Sequence, residues 1–178
     1  MGRWLKVLAA AAAGMLMTLS ASARAEKLDV CAMMTKAELE AAFSRTFDAG
    51  TAGPPQAGTA KRAAVASCTY TSAAPQPRDM LSVTLVVRRS PEGMKGISLE
   101  TAKAGAVQVK AKPVDVPGLG DGAYWINLGT DVAPNYQLNV MAGGGRYWLI
   151  LSTWGLRTEP GRAIEVITRL ARAALPRL

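Results

Sequence analysis

Apolar and polar residues alternate along several stretches of this chain, and alternation with a period of two predicts β-strands with one buried face. The predicted strands cover residues 64–71, 81–89, 123–126, 136–141 and 147–154. The second of them has leucine or valine at every other position from 81 to 87. Three consecutive glycines between the last two strands predict a hairpin turn, because glycine adopts positive φ without a steric penalty.

Three other stretches combine helix start signals with apolar positions three and four residues apart, which is typical of amphipathic helices. The first helix is predicted over residues 36–45 and begins with a Thr-Lys-Ala-Glu capping box. The second is predicted over residues 91–106 with Ser90 as its cap, followed by a short strand over residues 107–112. The last helix is predicted to begin at Pro160.

The order of these elements is α-β-β-α-β-β-β-α, and residues 48–62, rich in alanine, glycine, proline and threonine, are predicted to be a flexible loop. Strands joined by short turns form antiparallel sheets, and helices pack on such sheets to bury their apolar sides. We therefore expect an α+β fold with an antiparallel sheet of about five to six strands and helices mainly on one face. Residues 26–178 are expected to form a single domain.

The N-terminus has the three parts of a secretory signal peptide: positive Arg3 and Lys6, an apolar run over residues 7–19, and the small residues Ala23 and Ala25. The alternative is a membrane anchor, but the run is shorter than the roughly 20 residues that span a bilayer. We predict a cleavable signal peptide over residues 1–25 and no membrane span after its removal. The protein is therefore expected to be periplasmic or secreted.

The net charge and the types of side chain in the sequence argue against several classes of function. The net charge is +8, but the basic residues form no stripe with interleaved aromatics, so nucleic acid is not expected as a partner. The chain contains no histidine, which removes Ser-His-Asp and Cys-His catalysis and histidine-ligated zinc. Gly118-x-Gly120-x-x-Ala123 matches a dinucleotide fingerprint only formally, because it precedes a predicted strand rather than a helix. No cofactor, metal or catalytic residue is predicted.

The two cysteines, Cys31 and Cys68, are an even number in a chain predicted to be exported. In an oxidising compartment this indicates one structural disulfide. The alternative is a catalytic or redox thiol, which fits less well because the chain has no C-x-x-C motif and no histidine to activate a thiolate.

Aromatic residues concentrate in the C-terminal half of the chain. Trp148 and Trp154 share one face of their predicted strand with Ile150, whereas the other face carries leucines. If helices cover only one side of the sheet, Tyr124, Trp125, Trp148 and Trp154 are candidates for a binding patch on the other side. The alternative is that these rings are buried in the core, as large aromatic side chains usually are.

Three short motifs recur in a known group of proteins: Asp29-x-Cys31-x-Met33-Met34-Thr35-x-x-Glu38, Ser67-Cys68-Thr69-Tyr70 and the segment from Val116 to Trp125. Together they resemble small secreted bacterial domains of unknown function, many of them actinobacterial lipoproteins, with relatives among the extracellular sensor domains of kinases. The resemblance implies an α+β fold and a disulfide between the two cysteines, and it brings no catalytic residues. The chain departs from the group in lacking a lipobox and in having Phe43-Ser44 where the group has Leu-Gly.

From these observations we expect an exported, non-catalytic domain that binds a partner protein or a small apolar ligand in the cell envelope. The alternative is an enzyme of an unrecognised carboxylate-based type, which a pair of acids within about 5–10 Å in a pocket would support. A third possibility is a structural protein held to the envelope by its positive charge.

Overall fold

A computed structural model describes residues 28–74, 76–94, 96–130 and 132–178. The predicted signal peptide, residues 1–25, lies outside these residues, so its cleavage stays a prediction. Within the described ranges, none of the helices combines the length and the apolar character needed to cross a membrane.

The described residues contain four helices and seven strands. The helices are α1 (Val30–Met33), α2 (Lys36–Phe43), α3 (Leu99–Gln108) and α4 (Pro160–Ala174). The strands are β1 (Thr51–Ala52), β2 (Ala64–Thr71), β3 (Ser82–Arg89), β4 (Val114–Asp115), β5 (Gly122–Asn127), β6 (Asn135–Ala142) and β7 (Tyr147–Trp154). Two short 3-10 turns cover Pro77–Asp79 and Leu175–Arg177.

All seven strands form one antiparallel sheet in the order β1-β2-β3-β7-β6-β5-β4. β2 and β3 pair with each other, β5, β6 and β7 form a meander, and the pairing of β3 with β7 joins the two units. The predicted α+β fold with an antiparallel sheet is confirmed. The strands that alternation did not predict are β1 and β4, which have two residues each and are too short to show a period.

One side of the sheet, which we call the core face, is covered by α1, α2 and α4. The positions of the predicted strand 81–89 that were expected to point inward are all fully buried there: Leu81, Val83, Leu85 and Val87. α4 contributes an apolar stripe to the same core: Ala163, Ile167, Leu170, Ala171 and Ala174. Because a fully buried Leu or Val contributes about 1.5–3 kcal/mol, this layer holds most of the apolar stabilisation.

The opposite side of the sheet is covered only in part by the described residues. α3 packs there on β5 and β6 through a second, smaller core: Ala102, Ala106, Ala111, Tyr124, Ile126 and Met141. The outward side chains of β2, β3 and β7 on this side lie beyond α3 and are half-buried or exposed. We call this surface the open face, and its side chains are Val65, Ser67, Thr69, Thr71, Ser82, Thr84, Val86, Arg88, Trp148, Ile150, Ser152 and Trp154.

The start of α3 was predicted wrongly. The helix begins at Leu99, and the hydroxyl oxygen of Ser98, not that of Ser90, accepts the capping hydrogen bond from the amide of Thr101 at 3.1 Å. Gly93 adopts a φ of +74°, which is incompatible with a right-handed helix. The proline signal after Ser90 therefore opens a turn.

The strand predicted over residues 107–112 is also wrong, because α3 continues to Gln108. Val107 and Val109 are both exposed, so the apolar residues that suggested a strand do not contribute a buried face.

Residues 48–62 are mostly exposed, as their composition predicted. The segment nevertheless follows the edge of β2: it contains β1, and the backbone of Gln56 exchanges two hydrogen bonds with that of Val65 at 2.8 and 2.9 Å. The predicted flexibility of this loop stays a prediction.

Candidate functional site

The open face is three strands wide, which corresponds to roughly 15 Å. Small hydroxyl side chains alternate with branched aliphatic ones at its centre. The hydroxyl groups of Thr69 and Thr84 share a hydrogen bond at 3.0 Å, and Val86 lies opposite Ile150. The charge of this face is entirely positive, because Arg88 is its one ionisable side chain and β2, β3, β6 and β7 contain no Asp or Glu.

Trp148 marks the end of the open face next to α3. Its indole Nε1 donates to Oδ1 of the buried Asn139 at 3.2 Å, and the same oxygen accepts from Nε2 of Gln137 at 3.0 Å. The guanidinium of Arg88 lies over the indole ring, 5.2 Å from its centre. The ring also packs against the small core beneath α3, so Trp148 is held in one orientation.

The other end of the open face contains a pocket of about 250 Å³, which we call the Trp154 pocket. Its walls are built from three separate segments: Arg78, Met80, Ser82, Val132, Ala133, Pro134, Trp154, Gly155 and Arg157. The apolar side chains at its rim are exposed to an unusual degree: 55% for Trp154, 42% for Met80 and 81% for Val132. In the described part of the chain, neither Arg78 nor Arg157 forms an ion pair with a carboxylate.

Gly155 explains why these three segments meet. Its φ is +82°, and a Cβ atom at this position would lie 2.2 Å from the carbonyl oxygen of Met80. Its amide donates to the carbonyl oxygen of Pro134 at 3.4 Å. The absence of a side chain therefore allows the end of β7 to touch both neighbouring segments and closes the floor of the pocket.

The structure does not bring the four predicted patch residues together. Tyr124 is buried beneath α3, and burial raises the pKa of its hydroxyl. Trp125 points to the core face, where its ring lies 6.0 Å from that of Tyr136. Trp148 and Trp154 share the open face, as the alternation predicted, but they lie six positions apart along β7, which separates them by roughly 20 Å. Of the four, only Trp154 is strongly exposed.

Sequence reasoning missed Arg78, Met80, Val132 and Arg157 as site residues. They belong to three connecting segments that are far apart in the sequence, and no local pattern links them. The pairing of β3 with β7 brings their ends to one edge, and that pairing is not readable from the residues.

The predicted disulfide between Cys31 and Cys68 is present, with the Cα atoms 5.1 Å apart. It joins the single-turn helix α1 to β2. The hydroxyl of Tyr70 supports the same junction by donating to the carbonyl oxygen of Cys31 at 2.9 Å and to that of Met34. Both cysteines are therefore committed to a structural bond, and the described residues contain no free thiol.

The C-terminus is tied to this region by Arg177. Its guanidinium donates to both carboxylate oxygens of Glu38 at 2.6 and 3.0 Å and to the carbonyl oxygen of Met33 at 2.9 Å. The hydrogen bond from Arg177, together with those from Thr35, lowers the pKa of Glu38 to about 2, although partial burial opposes the shift. This contact network ties the C-terminal segment to the start of α2.

A second cavity, of about 240 Å³, lies between the 55–58 segment and the ends of β2 and β3. We call it the Leu28 cavity, and its lining is largely apolar: Leu28, Pro55, Gln56, Ala57, Gly58, Ala64, Val65, Ala66, Val87 and Arg89. This arrangement suits a small apolar molecule better than a reaction that needs charged groups.

Among the described residues, Glu100 and Asp115 lie within the distance expected of a carboxylate-based enzyme. The ammonium of Lys103 contacts Glu100 at 3.3 Å and Asp115 at 2.6 Å, which places the two carboxylates within about 6 Å of each other. The hydrogen bond with Asp115 raises the pKa of Lys103, so a cation occupies the space between the acids where a reacting bond would have to lie. Both carboxylates are largely exposed. No cluster of three metal-ligating side chains occurs among the residues that the structure describes.

Comparisons with known protein families, curated proteins and solved structures found no match to this chain.

Proposed function

We propose that this protein is an exported, non-catalytic binding domain of the bacterial envelope, periplasmic or secreted, and that a segment of a partner protein docks on its open face. The observation that carries the proposal is a sheet surface over which the described residues place no helix, ending in a pocket around the exposed Trp154. An internal disulfide fits the predicted export, because disulfides persist in oxidising compartments.

The dimensions of the open face suit a narrow partner segment. Its width of roughly 15 Å accommodates one α-helix, whose diameter with side chains is about 10–12 Å. α3 borders the face on one side and would limit sideways movement of such a segment. Amphipathic partner helices commonly bind by laying their apolar side on an apolar groove of this width.

A second copy of this chain is a poor occupant for the same surface. Face-to-face pairing of two copies would oppose two surfaces on which Arg88 is the one ionisable side chain, with no Asp or Glu on β2, β3, β6 or β7 to compensate. Like charges across an interface oppose binding, so a partner with acidic residues is favoured.

Site-specific photocrosslinking in the native host tests the proposal. A photoreactive phenylalanine analogue replaces Thr84, at the centre of the open face, and in a control variant it replaces the exposed Glu165 on α4. We expect irradiation to join a defined protein to the Thr84 variant and not to the Glu165 variant. A lack of adducts at Thr84, or equal adducts at both positions, would count against docking on the open face.

The Leu28 cavity supports a second candidate function, the binding of a small apolar molecule. Its volume of about 240 Å³ and its alanine, valine, leucine and proline lining are the specific observations in favour. Native mass spectrometry of protein isolated gently from its host tests this function. Extra mass that is lost on denaturation would support a bound small molecule, whereas the bare protein mass would leave partner docking as the better proposal.

A further inference from the structure

The Trp154 pocket differs from the rest of the open face in combining apolar walls with two cations. Trp154, Met80 and Val132 supply the apolar rim, and Arg78 and Arg157 stand beside them. Tryptophan and arginine are the residues that most often dominate binding energies at protein interfaces. The pocket is therefore the part of the face best suited to anchor a partner.

We propose that the Trp154 pocket binds a short acidic segment of the partner protein that carries one apolar side chain. The apolar side chain enters the pocket against Trp154, and carboxylates of the segment pair with Arg78 and Arg157. This inference rests on the proposed function, because it names the chemistry of the partner at one end of the open face.

The size of the pocket supports a single side chain as its content. Its volume of about 250 Å³ lies below the roughly 300–1,000 Å³ of sites that enclose a drug-sized ligand. Arginine forms paired hydrogen bonds with carboxylates, and Arg78 and Arg157 have no described carboxylate of their own to hold.

An anionic lipid surface is the competing explanation for exposed tryptophan, methionine and valine next to arginines. The concave shape favours the peptide: Gly155 draws the segments at Met80 and Pro134 together, so the apolar side chains line a pocket instead of projecting from one loop.

Nuclear magnetic resonance tests the inference through the indole N–H signals of the tryptophans. The sample is ¹⁵N-labelled protein in the form that its host produces. The probes are three synthetic octapeptides: one with a leucine between aspartates, one with asparagines in place of the aspartates, and one with alanine in place of the leucine. A fourth probe consists of phosphatidylglycerol vesicles. We expect the first peptide to shift the Trp154 signal at micromolar to millimolar concentration while Trp125 and Trp148 stay unchanged, and the other two peptides to bind at least tenfold more weakly.

A charge-matched pair of variants separates the pocket from the overall charge of the protein. Replacing Arg78 and Arg157 by glutamine is expected to weaken binding of the acidic peptide about tenfold or more, because two charge-assisted contacts are lost. Replacing Arg169 and Arg172 by glutamine, on the exposed side of α4, removes the same amount of charge. This variant is expected to change the affinity for the acidic peptide less than twofold.

Three outcomes would overturn the inference: equal affinity for the acidic and the neutral peptide, no Trp154 shift at millimolar peptide, or a shift caused by the vesicles alone. A crosslink at Thr84 combined with any of these results would support the proposed function and would refute only the binding of an acidic segment in the Trp154 pocket. A Trp154 shift without a Thr84 crosslink would place binding at the pocket and refute docking along the open face.

Discussion

Glu38 connects the start of α2 to the C-terminal segment through one carboxylate. It accepts from the amide and the hydroxyl of Thr35 at 2.7 and 2.9 Å, and it pairs with Arg177 near the C-terminus. Because its pKa in the folded state, about 2, lies below the ordinary value of 4.5, the unfolded chain binds more protons between these pH values. The stabilisation is therefore complete above about pH 4.5 and is lost as the pH falls toward 2.

Replacing Glu38 by glutamine is expected to lower the free energy of unfolding at pH 7 by about 1 kcal/mol, because the pair is partly exposed and solvent screens it. Glutamine still supports a capping box, so the loss reports the charge. Urea unfolding at several pH values measures the free energy of unfolding of both proteins. The difference between the variant and the wild type should decrease as the pH falls toward 2. Glu165→Gln on the exposed side of α4 is the control, and a gap that stayed constant with pH would contradict the role of the carboxylate.

The residue scale also shows what local sequence can and cannot predict. The bond between Thr35 and Glu38 was predictable, since a capping box is defined by a spacing of three. The bond between Glu38 and Arg177 was not, because 139 residues separate the partners and no spacing rule applies.

At the scale of elements, the start of α3 distinguishes two serines that look alike in sequence. Ser98→Ala removes the oxygen that accepts from the amide of Thr101, so we expect a loss of about 1 kcal/mol in the free energy of unfolding. Ser90→Ala serves as the matched control and should change stability by less than about 0.5 kcal/mol. Urea titrations of both variants make the comparison, and a larger loss for Ser90→Ala would contradict this boundary.

Five predicted strands agreed with the structure, whereas the alternation of Val107, Val109 and Ala111 predicted a strand where α3 ends. β2 and β7 have the predicted boundaries, and β3 differs by one residue. Period-two patterning works here because one side of each strand packs on the core face. It fails for β1 and β4, whose two residues pair through the backbone at the sheet edges without an apolar pattern.

At the scale of the whole molecule, the elements and their order predicted the fold class but not which strands become neighbours. The sheet is completed by the pairing of β3 with β7, a contact that depends on packing of the entire core. The orientation of Trp148 and Trp154 away from the leucines of β7 was predictable from alternation. The Trp154 pocket was not, because Met80, Val132 and Arg157 meet only after β3 and β7 have paired.

The disulfide stabilises the molecule as a whole, because Cys31 and Cys68 close a loop of 37 residues between α1 and the sheet. Cross-linking restricts the unfolded chain, and for a loop of this size the expected gain is about 3–4 kcal/mol. Replacing both cysteines by serine should lower the free energy of unfolding by about this amount, and reduction of the native protein should have a similar effect. Urea unfolding of oxidised, reduced and doubly substituted protein measures both free energies.

The reduced protein and the serine variant are not expected to be equally stable. Since Cys68 is fully buried, the serine variant also buries a hydroxyl, so the reduced protein is expected to be the more stable of the two. Equal midpoints for oxidised and reduced protein, with free thiols detected in the reduced sample, would mean that the fold at α1 is maintained without the bond, by Tyr70 and Arg177.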